Sequence, residues 1–273
     1  MTDFTTEEPA GTALVPARRH YRTVVISDVH IGATHSKVEE ASAFLESVTC
    51  DLLILNGDII DGWQLDRHSR RWKHSYTKFF DAVMRMMDEN DTEVVYLRGN
   101  HDDFLDNIAP LHLANISIVK DYILETGGKR YFITHGDVFD SVTSNMRWLS
   151  VLGDKGYNML LWANAAYNRY RLRRGKPYYS LSQTIKHKVK QAVSFISGFE
   201  KMLADLARSK KCDGVTCGHI HYPEDRMIDG VRYLNSGDWV ESLSALVEED
   251  DGTWRIMRFR YEYENKYLEM QKK

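Results

Sequence analysis

The stretch DLLILNGDIID, residues 51–61, runs from consecutive apolar residues (Leu52–Leu55) into a glycine and two aspartates. Apolar at every position rather than at alternate ones, it predicts a strand buried on both faces, as in a parallel sheet covered by helices. The same construction recurs on either side. RTVVIS (22–27) leads into Asp28-Val29-His30, and EVVYLR (93–98) into Gly99-Asn100-His101-Asp102. RYFIT (130–134) leads into His135-Gly136-Asp137, and DGVTC (213–217) into Gly218-His219-Ile220-His221. Residues 37–48 and 76–89 space their apolar groups three and four apart and predict helices. Strands alternating with helices make this an α/β chain. VRYLN (231–235), SALVEE (244–249) and TWRIMRFRYEY (253–263) read as closing strands of an antiparallel kind, with a turn at Asp250-Asp251-Gly252.

With 273 residues, 43% hydrophobic and 27% charged, the chain has a globular composition, which excludes disordered, collagen-like and coiled-coil classes. Residues 1–20, broken by Pro9, Gly11 and Pro16, lack periodicity and predict a disordered tail ahead of a domain over 21–273. No apolar run approaches the roughly 18 residues of a membrane span. The first twenty residues lack the apolar core of a secretory signal, and three cysteines without paired spacing fit a reducing compartment. Together these predict a cytoplasmic protein.

The chemistry sits where the strand runs stop. In open α/β sheets ligands bind at the carboxyl ends of strands, so motifs scattered over nearly 200 residues converge on one rim. Asp28 and His30, and likewise His219 and His221, are two apart, which in a strand puts both side chains on one face. Imidazole, carboxylate and one amide oxygen suit a borderline divalent ion: Mn²⁺ first, with Fe²⁺ or Zn²⁺ as alternatives. The lack of thiolates in the motifs argues against structural zinc.

Five such blocks in this order resemble the calcineurin-like metallophosphoesterase superfamily over residues 22–248. The resemblance implies a four-layer α-β-β-α sandwich of two mixed sheets with a helical cap insertion, and a two-metal site. Carried over by motif, Asp28, His30 and His221 hold one metal, Asn100, His135 and His219 the other, and Asp58 bridges them. Asp61 and Asp137 become candidates to orient imidazoles. The resemblance also gives His101 its role: stabilising the phosphoryl group or protonating the leaving oxygen.

Within the superfamily, the Gly57-Asp58-x-x-Asp61-x-Trp63 block, the insertion and the ending Asn235-Ser236-Gly237-Asp238-Trp239 resemble the UDP-2,3-diacylglucosamine pyrophosphatase branch. That branch places Arg after the metal-binding Asn, where this chain has His101, and the tail of the Trp63 block (QLDRHSRRW) departs from its acidic version. Both departures point to relatives resembling the phospholipase C-like enzymes of bacterial lipid remodelling. The preferred expectation is hydrolysis of a glycerophospholipid to diacylglycerol and a phosphorylated headgroup. The alternative is pyrophosphate cleavage of a UDP-linked diacyl-sugar to UMP and a lipid phosphate.

The insertion, residues 141–211, carries 14 Lys/Arg against three acids (Asp154, Glu200, Asp205), while the whole chain is at -3. Residues 145–174 and 180–210 read as helices. Arg169, Arg171, Arg173, Arg174 and Lys176 lie close to Trp148 and Trp162, and cationic charge with amphipathic aromatics suits an anionic bilayer surface. The expected partners are a lipid-phosphate substrate and the inner face of the cytoplasmic membrane, where the protein is peripheral. Nucleic acid is disfavoured by the acidity of the remaining chain, a non-catalytic binder by the seven intact ligands, and no oligomeric state follows.

Overall fold

A computed structural model of the chain describes residues 18–67, 71–139, 171, 173, 174 and 196–259. Twelve strands form two sheets among the described residues. The first sheet contains β1 (Arg19–Ile26), β2 (Val48–Asn56), β3 (Glu93–Leu97), β4 (Leu111–Leu113), β5 (Ile116–Val119), β11 (Ser244–Glu248) and β12 (Trp254–Arg258). Its order is β12-β11-β1-β2-β3-β5-β4, parallel from β1 to β5 through β2 and β3. The second contains β6 (Asp121–Thr126), β7 (Lys129–Thr134), β8 (Gly214–Cys217), β9 (Glu224–Ile228) and β10 (Val231–Asn235), in the order β6-β7-β8-β10-β9.

The unbroken apolar runs are explained by what covers each face. Val25, Leu52, Ile54, Val95 and Leu97 point from the first sheet at Tyr131, Ile133 and Leu234 of the second. Their neighbours Val24, Ile26, Leu53 and Leu55 point the other way. There they meet Ala41, Phe44 and Leu45 of α1 (Val38–Ser47) and Phe79, Val83 and Met86 of α2 (His74–Asn90). The second sheet is covered by a helix whose described part spans 196–209, through Phe199, Leu203, Ala204 and Ala207. Helix, sheet, sheet and helix are therefore stacked, the expected four-layer sandwich. Each fully buried Leu, Ile or Phe contributes about 1.5–3 kcal/mol, and most such residues lie in these three interfaces.

Several expectations are corrected. Strand β1 starts at Arg19, inside the expected tail, because it pairs with Val48 of β2; residues 1–17 lie outside the described residues. β10 does not close beside β11: it runs parallel to β8 and antiparallel to β9 in the second sheet. β12 spans Trp254–Arg258, and residues 260–263 of the expected strand lie outside the described residues. The turn at 250–252 joins β11 and β12 as expected, with Gly252 donating to the Glu249 carbonyl. Of the insertion, residues 196–209 are helical, and most of the rest lies outside the described residues.

Candidate metal centre

The carboxyl ends of β1, β2 and β3 from one sheet and of β7 and β8 from the other open onto one site. Asp28 and His30 follow β1, Asp58 and Asp61 follow β2, and Asn100 and His101 follow β3. His135 follows β7, and His219 and His221 follow β8. The D-x-H and H-x-H pairs do not meet by strand alternation. Asp28, His30, Asp58, His219 and His221 all have left-handed backbone, with φ of 53, 52, 53, 68 and 56°. Such a conformation costs a non-glycine residue about 1–2 kcal/mol and persists only where its surroundings dictate it. Here they do: Asp28 N–H donates to the Gly57 carbonyl, His30 N–H to that of Asp58, and Trp239 N–H to that of Asp28.

Three groups of side chains result among the described residues, one of them His30, Asp61 and His101 and the other two spanning both sheets. Asp28, His30 and His221 bring their donor atoms within 4.8 Å of one another, as do Asp58, His135 and His219. His221 Nε2 lies 3.1 Å from Asp28 Oδ1 and 3.3 Å from His30 Nε2. Asp58 Oδ2 stands between the groups, 3.3 Å from His135 Nε2 and 3.8 Å from His30 Nε2. Asn100 is buried in the loop between them: the next residue, His101, donates its N–H to Asp58 Oδ1 at 2.8 Å, and a Cβ on the preceding Gly99 would overlap that same oxygen.

These charges hold one another in place. Burial alone would raise the Asp28 carboxyl, but His221 and His135 outweigh it and bring it to about 2. Burial also opposes His221, yet Asp28 lifts it to about 9. Burial wins at His30, lowered to about 4. Asp58 stays well below the carboxylate range, because His135, His30 and His101 outweigh its burial. Asp28 Oδ1 and His135 Nε2 are buried and make no hydrogen bond. Buried polar atoms rarely go unsatisfied, and these face nitrogens and oxygens that a divalent cation would draw together. The donor set fits two such ions.

The groups behind the ligands fix their orientation. His135 Nδ1–H donates to the Asn56 carbonyl at 2.9 Å, which leaves Nε2 for the site. Asp61 Oδ2 lies 3.8 Å from His30 Nδ1, and its Oδ1 lies 3.2 Å from His101 Nδ1. The His101 ring is flanked by His30, edge-on at 4.7 Å between centroids, and by Trp63 at 4.4 Å. Asp137 pairs with Arg98, and its charge also helps to raise His135. Asp102, fully buried, ties two ligand loops together by accepting from Ile59 N–H at 3.0 Å, from Tyr96 O–H at 2.8 Å and from Gly99 N–H. Sequence reasoning missed the Asn56 carbonyl, since a backbone acceptor leaves no mark in the residue type. Trp148, Trp162, Arg169 and Lys176 lie outside the described residues. Arg171 is half-buried, and Arg173 and Arg174 are exposed.

A family model described as calcineurin-like phosphoesterase matches residues 21–223. No curated protein matches the chain. Among solved structures, a Thermotoga maritima protein is similar at 17% identity and a TM-score of 0.40, covering 87% of this chain and 97% of its own. The phosphoesterase Yfce of Escherichia coli is similar at 15% and 0.38, covering 87% and 98%. An archaeal phosphodiesterase is similar at 13% and 0.38, covering 86% and 98%. The match of the family model across both sheets, and the His/Asp groups at their shared rim, assign the chain to the calcineurin-like phosphoesterase family, a metal-dependent phosphoester hydrolase.

Proposed function

We propose that the chain hydrolyses a phosphodiester with an alkoxide leaving group, and that the substrate is a membrane glycerophospholipid cleaved to diacylglycerol and a phosphorylated headgroup. The observation that carries this reading is the setting of His101, between Trp63 and His30 with its Nδ1 against Asp61. With Nδ1 against Asp61, we assign Nε2 to the substrate. From there His101 can give a proton to the glycerol oxygen as its bond to phosphorus breaks, a contribution of roughly 10²–10⁴-fold. A departing phosphate, already stable as an anion, would need such a donor less.

Asp28, His30 and His221 would hold one divalent cation, Asn100, His135 and His219 a second, and Asp58 both; Mn²⁺ is our first choice. Such a pair, when bound, supplies Lewis-acid polarisation of the phosphoryl group. Asp61 keeps the His101 ring in register, and the buried carboxylates keep the imidazoles aimed inward.

An apolar substrate is supported by exposed rings beside the site: Trp63 two residues after Asp61, Phe104 three after His101 and Tyr222 next to His221. The basic 141–211 segment supports attachment to an anionic bilayer. No helix among the described residues is long and apolar enough to cross a membrane. The reading is of a peripheral enzyme at the cytoplasmic face. The deciding experiment offers the Mn²⁺-loaded protein phosphatidylcholine and UDP-2,3-diacylglucosamine in parallel. We expect diacylglycerol from the first; turnover of the second alone would reverse the assignment to the pyrophosphatase reaction.

A further inference from the structure

The loop after β8 serves both halves of the centre, since His219 belongs to one group and His221 to the other. Its position relative to β1, which supplies Asp28 and His30, therefore decides whether both groups can close at once. That position is set by uncharged, fully buried residues that contribute nothing to either group: Ser27, Cys217, Tyr233, Asn235 and Ser236.

Ser27 directly follows β1 of the first sheet and precedes Asp28; Asn235 ends β10 of the second sheet and Ser236 follows it. Ser27 Oγ and Ser236 Oγ are 2.7 Å apart. Ser27 Oγ also reaches the Gly237 carbonyl at 3.0 Å, and Ser236 Oγ the Cys217 carbonyl at 3.2 Å. Each hydroxyl has one proton, so the chain of donors runs either Ser27 to Ser236 to Cys217 or Ser236 to Ser27 to Gly237. In both directions a hydroxyl bridge spans the two sheets. Beside it, Asn235 Nδ2 donates to the Gly218 carbonyl at 2.9 Å, and its Oδ1 accepts from Gly237 N–H at 2.9 Å.

The parts brought together this way are close to touching. A Cβ on Gly218 would overlap Asp28 Oδ2 and Ser27 Oγ, so only glycine allows the β8 loop to pass. His219 N–H then donates to Asp28 Oδ2 at 3.0 Å, which leaves Oδ1 to the cation group.

We propose that Asn235 and Ser236 are positioning residues for the two-cation centre. By clamping the Gly218 carbonyl and the Ser27 hydroxyl, they set the spacing between the Asp28–His30–His221 group and the Asp58–His135–His219 group. The inference rests on the dimetal reading of the site. The amide and the hydroxyls touch neither substrate nor cation, and act only through the loops that they join.

The test is Mn²⁺ titration of the full-length metal-free protein by calorimetry, with electron paramagnetic resonance on the loaded sample. Wild type is expected to take two equivalents and give the spin-coupled spectrum of neighbouring Mn²⁺ ions. Asn235→Ala and Ser236→Ala are expected to lose about tenfold in affinity for at least one ion, the scale of groups that orient ligands from behind. They should also shift the spectrum towards the six-line signal of isolated Mn²⁺. Ser27→Ala, which removes the other hydroxyl of the bridge, serves if either variant does not fold, with the same expectation. Folded variants that melt lower yet keep wild-type affinity and a coupled spectrum would overturn the inference and leave these residues a merely structural role. Wild type that binds no Mn²⁺, or one equivalent, would instead defeat the dimetal reading on which the inference rests.

Discussion

His101 is the residue on which the choice of leaving group turns. Replacing it by Ala keeps both groups that span the sheets intact, yet removes the proton donor. Turnover of a phospholipid should fall by about 10²–10⁴-fold, while a nitrophenyl phosphodiester, whose phenolate leaves unaided, should lose far less. Comparing kcat for the two substrates in wild type and His101→Ala checks this, and equal losses would remove the acid role. At this scale the sequence was informative, because the ligand residues are chemically conspicuous and stand next to glycines. What it misjudged was the route by which they meet. Asp28 and His30 share a site through left-handed backbone held by carbonyls of Gly57 and Asp58, and pairing with a distant segment is not visible in a D-x-H spacing.

At the scale of elements, the loops after the strands do the positioning, and the glycines in them are there for want of space. A Cβ at Gly99 would overlap Asp58 Oδ1 and the Asp58 nitrogen, and would sit 2.9 Å from His135 Cδ2. Gly99→Ala must displace Asp58, the carboxylate between the two groups. We expect a destabilisation of about 1–3 kcal/mol in urea unfolding, together with weakened Mn²⁺ binding by calorimetry. A variant indistinguishable from wild type in both would show that the loop yields freely. The strands that precede these loops were legible, since burial on both faces produces runs such as Leu52–Leu55. β4, β5, β6 and β9 were not. They are three to six residues long and lie at or next to sheet edges, where half-exposed positions blur any period, as in Ile116–Val119 or the charged Glu224–Ile228.

For the molecule as a whole, the two-sheet sandwich came from the resemblance rather than from periodicity; strand order depends on contacts between segments far apart in the chain, which is why the parallel pairing of β10 with β8 was not visible. The charge balance of the centre also reads out globally. His221 is held at about 9 in the metal-free protein, above its usual value near 6.5. A raised histidine contributes stability that is complete below pH 6.5 and lost as pH climbs through 9. Asp28, lowered to about 2, contributes above its usual value near 4 and loses that contribution as pH falls through 2. Cation binding must expel the His221 proton, which becomes easier as pH rises. The increase in Tm produced by Mn²⁺ should therefore grow between pH 6.5 and 8.5 in thermal melts with and without the ion. An increase that stays flat or shrinks would mean that no proton is displaced.

The Asp28–His30–His221 and Asp58–His135–His219 groups each draw on loops from both layers of strands: β1 with β8 for the first, β2 with β7 and β8 for the second. Neither layer completes either of these groups alone. A fragment with a single layer would keep some acids and imidazoles but lack the partners that close each of these two groups, so both depend on the two layers having closed on each other.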